Sequence, residues 1–103
     1  MIYFIQDTVN LAIKIGHAAS DIDARRRQLQ TGNPHPLVVI WHMDGTPDLE
    51  TALHRRFAAD RGLGEWFRPS TELILFLLDE AQMHGRHTAM GDYERAMECA
   101  SRS

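Results

Sequence analysis

Two groups of residues have types and spacing that suggest chemistry: the run Arg25–Arg26–Arg27, and the pair Glu50 and His54. A planar guanidinium can give two parallel hydrogen bonds to a phosphate or carboxylate. On a helix turning about 100° per residue, Ile22 and Leu29 mark a buried stripe. Arg25 and Arg26 then flank that stripe, and Arg27 points to solvent. A guanidinium at the edge of an apolar face is held in one direction, which suits it to gripping phosphate. Three arginines on an amphipathic helix equally fit a solvated face. Glu50 and His54 stand four apart, on one shoulder of the stripe Leu49, Ala52, Leu53 and Phe57. A carboxylate there could bind one Mg²⁺ or Mn²⁺, with water filling the remaining positions. The same spacing also describes an ordinary polar surface pair.

Other reactive groups support less. His84 and His87 have metal-like spacing and Cys99 follows, but a fourth ligand with matching geometry is missing. Ser20, Ser70 and Cys99 have no nucleophile-elbow context and no base nearby in sequence. Gly16, Gly32, Gly45, Gly62 and Gly64 punctuate turns and form no phosphate-binding loop. Trp41 and Trp66 are expected in the core or at a strand edge.

The elements that must position these residues follow from patterning. Ile2–Ile5 and Leu11–Ile15 are short apolar, β-branched runs joined by Asp7–Thr8–Val9–Asn10, which predicts an antiparallel hairpin. Ser20 with Asp23 resembles a capping box opening a first helix, which Gly32 and Pro34 stop. A third strand is expected over Leu37–Met43. Thr46–Pro47–Asp48 opens a second helix that runs to about Arg61 and breaks at Gly62–Leu63–Gly64. Glu65–Trp66–Phe67 is a short extended piece. Pro69–Ser70 caps a third helix with the stripe Leu73, Ile74, Leu77, Leu78 and Ala81. The order predicts an α+β domain over residues 1–84, a small three-stranded antiparallel sheet flanked by helices. Residues 85–103 are expected to be a C-terminal extension, either a short helix or a tail.

Length and composition agree with a globular domain. The chain has 103 residues, 44% hydrophobic and 24% charged, which excludes a disordered or fibrous class. No apolar run is long enough to span a bilayer, and the start does not resemble a signal peptide. With Cys99 the only cysteine, a cytoplasmic location is expected. The net charge of −3 argues against nucleic acid until the chain is divided. Residues 1–69 carry eight acids and eight bases, whereas residues 70–103 carry six acids and three arginines. The deficit therefore lies in the last third, and the first two-thirds permit a phosphate ligand.

Taken in order, these pieces resemble a known nuclease superfamily. Ile2–Tyr3 at the start of the hairpin and Lys14–Ile15–Gly16 across from it resemble the two halves of a GIY-YIG motif. Arg25-x-x-Gln28-Leu29-Gln30-Thr31-Gly32-Asn33-Pro34, then Glu50-x-x-Leu53-His54-Arg55-Arg56-Phe57, then Gly64-Glu65-Trp66-Phe67 continue the likeness. This is similar to the branch named for a meiotically up-regulated gene and a phage T5 reading frame, and it covers residues 1 to about 78.

The resemblance implies a GIY-YIG endonuclease fold and divalent-metal-dependent cleavage of DNA phosphodiester bonds. By position, it implies that Glu50 holds the metal and that Tyr3 lies beside the scissile phosphate near the attacking water. Lys14 takes the place of the second motif tyrosine, Arg25 clamps the phosphate, and His54 could assist proton transfer. A metal and an arginine neutralise charge building on phosphorus. A desolvated lysine can act as a base, or as a clamp if it stays protonated. Arg26, Arg55 and Arg56 are expected phosphate or DNA contacts, with Gly16 and Glu65 in supporting positions. Two departures stand out: Leu29 occupies a position where many superfamily members have Tyr or His, and the first motif glycine is missing. DNA is the expected partner, with a partner protein or a homodimer assisting, and no membrane. The alternative is a catalytically silent nuclease-like domain that binds nucleic acid or a protein.

Overall fold

The computed structural model describes residues 1–84. The chain divides into two compact units, the first spanning Met1–Ser70 and the second beginning at Thr71. The first unit is built from β1 (Ile2–Asp7), β2 (Ile13–His17), α1 (Ile22–Thr31), β3 (Leu37–Met43), α2 (Pro47–Arg56) and β4 (Trp66–Phe67). A single 3₁₀ turn, Ala58–Asp60, follows α2. The second unit contributes α3 (Thr71–His84), in which Leu73, Leu77 and Ala81 of the expected stripe are buried, whereas Leu78 is exposed. The expected features of residues 85–103, including the His87 and Cys99 candidates, lie outside the described residues.

The sheet is antiparallel with strand order β3-β1-β2-β4, so it has four strands where three were expected. The fourth is the extended piece Trp66–Phe67, which pairs as Ile13↔Phe67 and Lys14↔Trp66. Two residues carry too little periodicity to announce a strand; pairing with β2 makes them one. Strand alternation sends Tyr3, Ile5 and Lys14 to one face and Phe4, Ile13 and Ile15 to the other. On the first face, α1 covers a core of Tyr3, Ile5 and Leu37, with Ile22, Leu29, Val39 and Trp66 packed against it. On the opposite face, α2 brings His54 onto the Phe67 ring, 5.1 Å between centroids.

β1 and β2 run on to Asp7 and His17, past the expected Ile5 and Ile15, and other element ends differ as well. β2 begins at Ile13 and not Leu11, because Leu11 has a positive φ of 67° and belongs to the turn. The N-cap of α1 is Asp21, whose carboxylate accepts the Ala24 N–H at 3.0 Å, and not Ser20. Helix α2 stops at Arg56, five residues short of the expected end, and the chain tightens into the 3₁₀ turn.

The hairpin turn is held by Asp7. Its carboxylate accepts the N–H of Val9 at 2.8 Å and of Asn10 at 3.1 Å, and meets His35 Nδ1 at 2.7 Å. Burial pushes this carboxyl up, but the two amides and the His35 ring outweigh it, holding it below its usual 3.8. A carboxyl whose folded pKa is depressed stabilises the fold above its unfolded value. That contribution is lost as pH falls below about 3.8 toward the lower folded value. Thermal unfolding followed from pH 6 to pH 2 should therefore show a steeper acid loss in the wild type than in Asp7→Asn. Parallel curves would contradict this assignment.

Candidate functional site

The site starts from a close approach between β1 and β2. Tyr3 pairs with Gly16, and its ring lies directly over that glycine. A Cβ at residue 16 would stand 2.9 Å from Tyr3 Cε1 and closer still to Cζ and the hydroxyl oxygen. Gly16 is thus where the phenol is seated. Tyr3 is only 1% exposed, and its hydroxyl accepts the Nε–H of Arg25 on α1 at 3.4 Å. His42 pairs with Tyr3 on the other side, across β1 and β3, while the ring leans away over Gly16.

Lys14 stands two residues before Gly16 on the same face of β2 and is only 8% exposed. Its ammonium meets Glu65 Oε2 at 3.0 Å and lies 5.8 Å from the centroid of the Trp66 ring. The register Lys14↔Trp66 puts Glu65, the neighbour of Trp66, within reach. The Arg25 guanidinium is held above its ordinary pKa chiefly by the hydrogen bond to Tyr3, with Glu65 adding to the effect against burial. Glu65 is thus the ion-pair partner of Lys14, while Arg25 takes the Tyr3 hydroxyl as its partner.

Glu50 and His54 form a second pair, on α2. Their side chains approach to 3.8 Å, and both are largely buried. His54 Nε2 is 2.8 Å from the Ile15 carbonyl, so that nitrogen carries the proton and donates it to β2. Ile15 lies between Lys14 and Gly16, so His54 ties the Glu50 helix to the strand that bears the first cluster. Among the described residues, no hydrogen bond or ion pair joins Glu50 directly to Tyr3, Lys14 or Arg25.

The structure therefore brings Tyr3, Lys14, Gly16, Arg25 and Glu65 into one cluster, with Glu50 and His54 joined to it through the β2 backbone. The remaining arginines are placed differently. Arg26 and Arg27 both pair with Asp23, at 3.1 and 2.7 Å. Arg55 is exposed, and Arg56 lies 5.2 Å from the Phe57 ring. Leu29 packs on the Tyr3–Ile5–Leu37 core, which explains why the position one helical turn after Arg25 is apolar.

A divalent cation can be weighed against the donors present. No group of three His, Cys, Asp or Glu side chains that could hold a metal exists among the described residues. That excludes an all-protein cage there. A single largely buried carboxylate with an imidazole 3.8 Å away fits an ion that keeps most of its waters, as Mg²⁺ does.

One structural centre had no sequence signal. Buried Asp60 accepts from Arg68 Nη2 at 3.1 Å and from Ser70 Oγ at 2.6 Å, fixing the segment that carries β4. Its partners lie eight and ten residues away in irregular chain, a spacing that belongs to no periodic element.

Among the described residues, no helix is long and apolar enough to cross a membrane. Comparison with protein families matches residues 1–82 to a model described as the T5orf172 domain. No curated protein and no solved structure matches the chain.

Proposed function

The chain belongs to the T5orf172 family, and on that premise we propose that it is a GIY-YIG-type endonuclease hydrolysing DNA phosphodiester bonds with Mg²⁺ or Mn²⁺. The observation that carries the reading is the cluster in which Lys14 pairs with Glu65 and Arg25 bonds the Tyr3 hydroxyl seated over Gly16, on a strand to which the Glu50 helix is tied. A lysine paired with a carboxylate, with an arginine bonded to the neighbouring phenol, forms a place where a phosphate can take the carboxylate's position.

Each residue then has a role with a physical reason. Arg25 and Lys14 bind the phosphate and offset the charge that builds on its oxygens in the transition state. Glu65 keeps Lys14 in place until the phosphate arrives. Tyr3, too buried to meet bulk water, positions Arg25 through its hydroxyl. Glu50 would hold the divalent cation, which supplies Lewis-acid polarisation of the phosphate and a more nucleophilic water. His54 fixes Glu50 relative to β2 by donating to Ile15. Arg26, Arg55 and Arg56 extend the positive surface toward flanking phosphates. DNA is the substrate, and a partner protein or a second copy would add binding surface.

Nicking of supercoiled plasmid tests the reading. Mg²⁺ or Mn²⁺ should support conversion to open circles, and EDTA should abolish it, with activity returning when excess metal is restored. Salt-sensitive DNA binding with no cleavage under any divalent metal would instead establish the silent nucleic-acid-binding domain.

A further inference from the structure

A cleft of about 430 Å³ opens beside the phosphate cluster, within the roughly 300–1,000 Å³ range of small-molecule sites. It lies among the hairpin turn, the loop after α1 and the segment around β4, and Trp66, Leu63, Asn10, Asn33 and Arg68 line it. We propose that this cleft receives an unpaired nucleobase of the DNA strand, stacked on Trp66 and held by its carbonyl oxygens. The proposal rests on the phosphodiester reading above and adds to it the form of the substrate.

Continuity carries the first step. Trp66 lines the cleft, and the centroid of its ring lies 5.8 Å from the Lys14 ammonium. A base stacked on this ring has its own phosphates beside Lys14 and Arg25. Aromatic rings hold bases through their π faces, a mode used for unpaired strands.

The polar lining gives the second step, because the amide orientations can be assigned. Asn10 Oδ1 accepts the Ala12 N–H at 2.9 Å, and Asn33 Oδ1 accepts the His35 N–H at 2.9 Å. A backbone N–H can only donate, so each oxygen is fixed inward to its own turn and each Nδ2 is left as a donor. Arg68, with its side chain 74% exposed, adds further N–H groups at the rim. Asp7 also lines the cleft, but its oxygens are committed to Val9, Asn10 and His35. The lining therefore offers donors, and the matching base edge is one rich in carbonyl acceptors, as in thymine.

Binding measured in EDTA separates this from catalysis. Quenching of tryptophan fluorescence should follow titration with a twelve-nucleotide oligothymidylate, whose affinity should exceed that of oligodeoxyadenylate by about tenfold at equal salt. The two strands carry the same phosphate charge, so the difference reads the bases. Replacing both amides as Asn10→Asp and Asn33→Asp keeps the oxygens that cap the turns and removes the donors. This variant should lose about tenfold more affinity for oligothymidylate than for oligodeoxyadenylate. Trp66→Leu should weaken both about tenfold. Equal binding of the two strands, or equal losses on amide replacement, would overturn the base site. So would tighter binding of oligouridylate than of oligothymidylate, since the occupant would then be RNA. If single strands fail to bind while plasmid is still nicked, the base site falls and the nuclease reading stands. If base selectivity is seen but no metal supports cleavage, the reverse holds.

Discussion

Glu50→Ala is expected to slow plasmid nicking by at least about 100-fold while leaving the fold in place. A bound divalent cation contributes several kcal/mol of transition-state stabilisation, and each 1.36 kcal/mol is about a factor of ten in rate. Glu50 reaches the β2 site through His54, which donates to the Ile15 carbonyl. The structural cost should be small. Glu50 lies in the first turn of α2, where its charge favours the helix by about 0.3–1 kcal/mol. A melting temperature within a few degrees of the wild type would establish that the loss is chemical. Salt-dependent DNA binding should also survive, because Lys14 and Arg25 are untouched. Glu50→Asp, which shortens the side chain but keeps its charge, should recover part of the activity at higher metal concentration. Full activity of Glu50→Ala would remove the metal role from this residue and with it the proposed division of labour.

His54 makes the same assignment sharper. A free imidazole one turn after a carboxylate reads from sequence as a proton carrier. Its Nε2–H is instead given to the Ile15 carbonyl, and its ring packs on Phe67. Those contacts are what a side chain does when it fixes one element to another. The residue expected to assist proton transfer is thus proposed as a positioning residue, with Lys14 and Arg25 as the proposed phosphate contacts.

The parts of the fold that could be read in advance are those where local chemistry and periodicity agree. β3 was expected over Leu37–Met43 and is found there, because a continuous apolar run is bounded by Pro36 and by Asp44–Gly45. The stop of α1 at Gly32 was legible for the same reason. Misreadings arose where one side chain overrides the pattern. Leu11 looks like a strand residue, yet Asp7 and Asn10 draw the surrounding amides into the turn and leave β2 to begin at Ile13. β4 became part of the sheet only through pairing distant in sequence, which no two-residue pattern can signal.

The candidate site divides along the same line. Tyr3, Lys14 and Arg25 could be named from ordered motifs, and their spacing on β1, β2 and α1 brings them together. Glu65 was expected in support, but its pairing with Lys14 depends on the β2–β4 register, which lies outside local sequence. The orientation of Asn10 and Asn33 depends on which turn amide each caps. A tertiary contact that fixes direction, and not residue type, is what sequence patterns lack.

Gly16→Ala should be the most damaging single-atom change in the molecule's first unit. An alanine methyl would overlap the Tyr3 ring, standing 2.9 Å from Cε1 and nearer to Cζ and the hydroxyl oxygen. These atoms belong to a ring fully packed in the core, so it cannot swing into solvent as a flexible chain would. Overpacking of this kind costs about 1–3 kcal/mol, equivalent to a fall in melting temperature of roughly 5–20 °C for a small domain. The displaced hydroxyl also releases Arg25, whose Nε–H it accepts, so nicking should fall by about tenfold or more in the folded fraction. Removing the obstruction provides the control. Tyr3→Leu in the Gly16→Ala background should restore much of the lost stability, so the pair will be non-additive. It should not restore nicking, because Arg25 still lacks its anchor. A Gly16→Ala protein that melts and cleaves like the wild type would show that the phenol does not depend on this seat. A double variant that regains full cleavage would show that Arg25 needs no phenol to hold it.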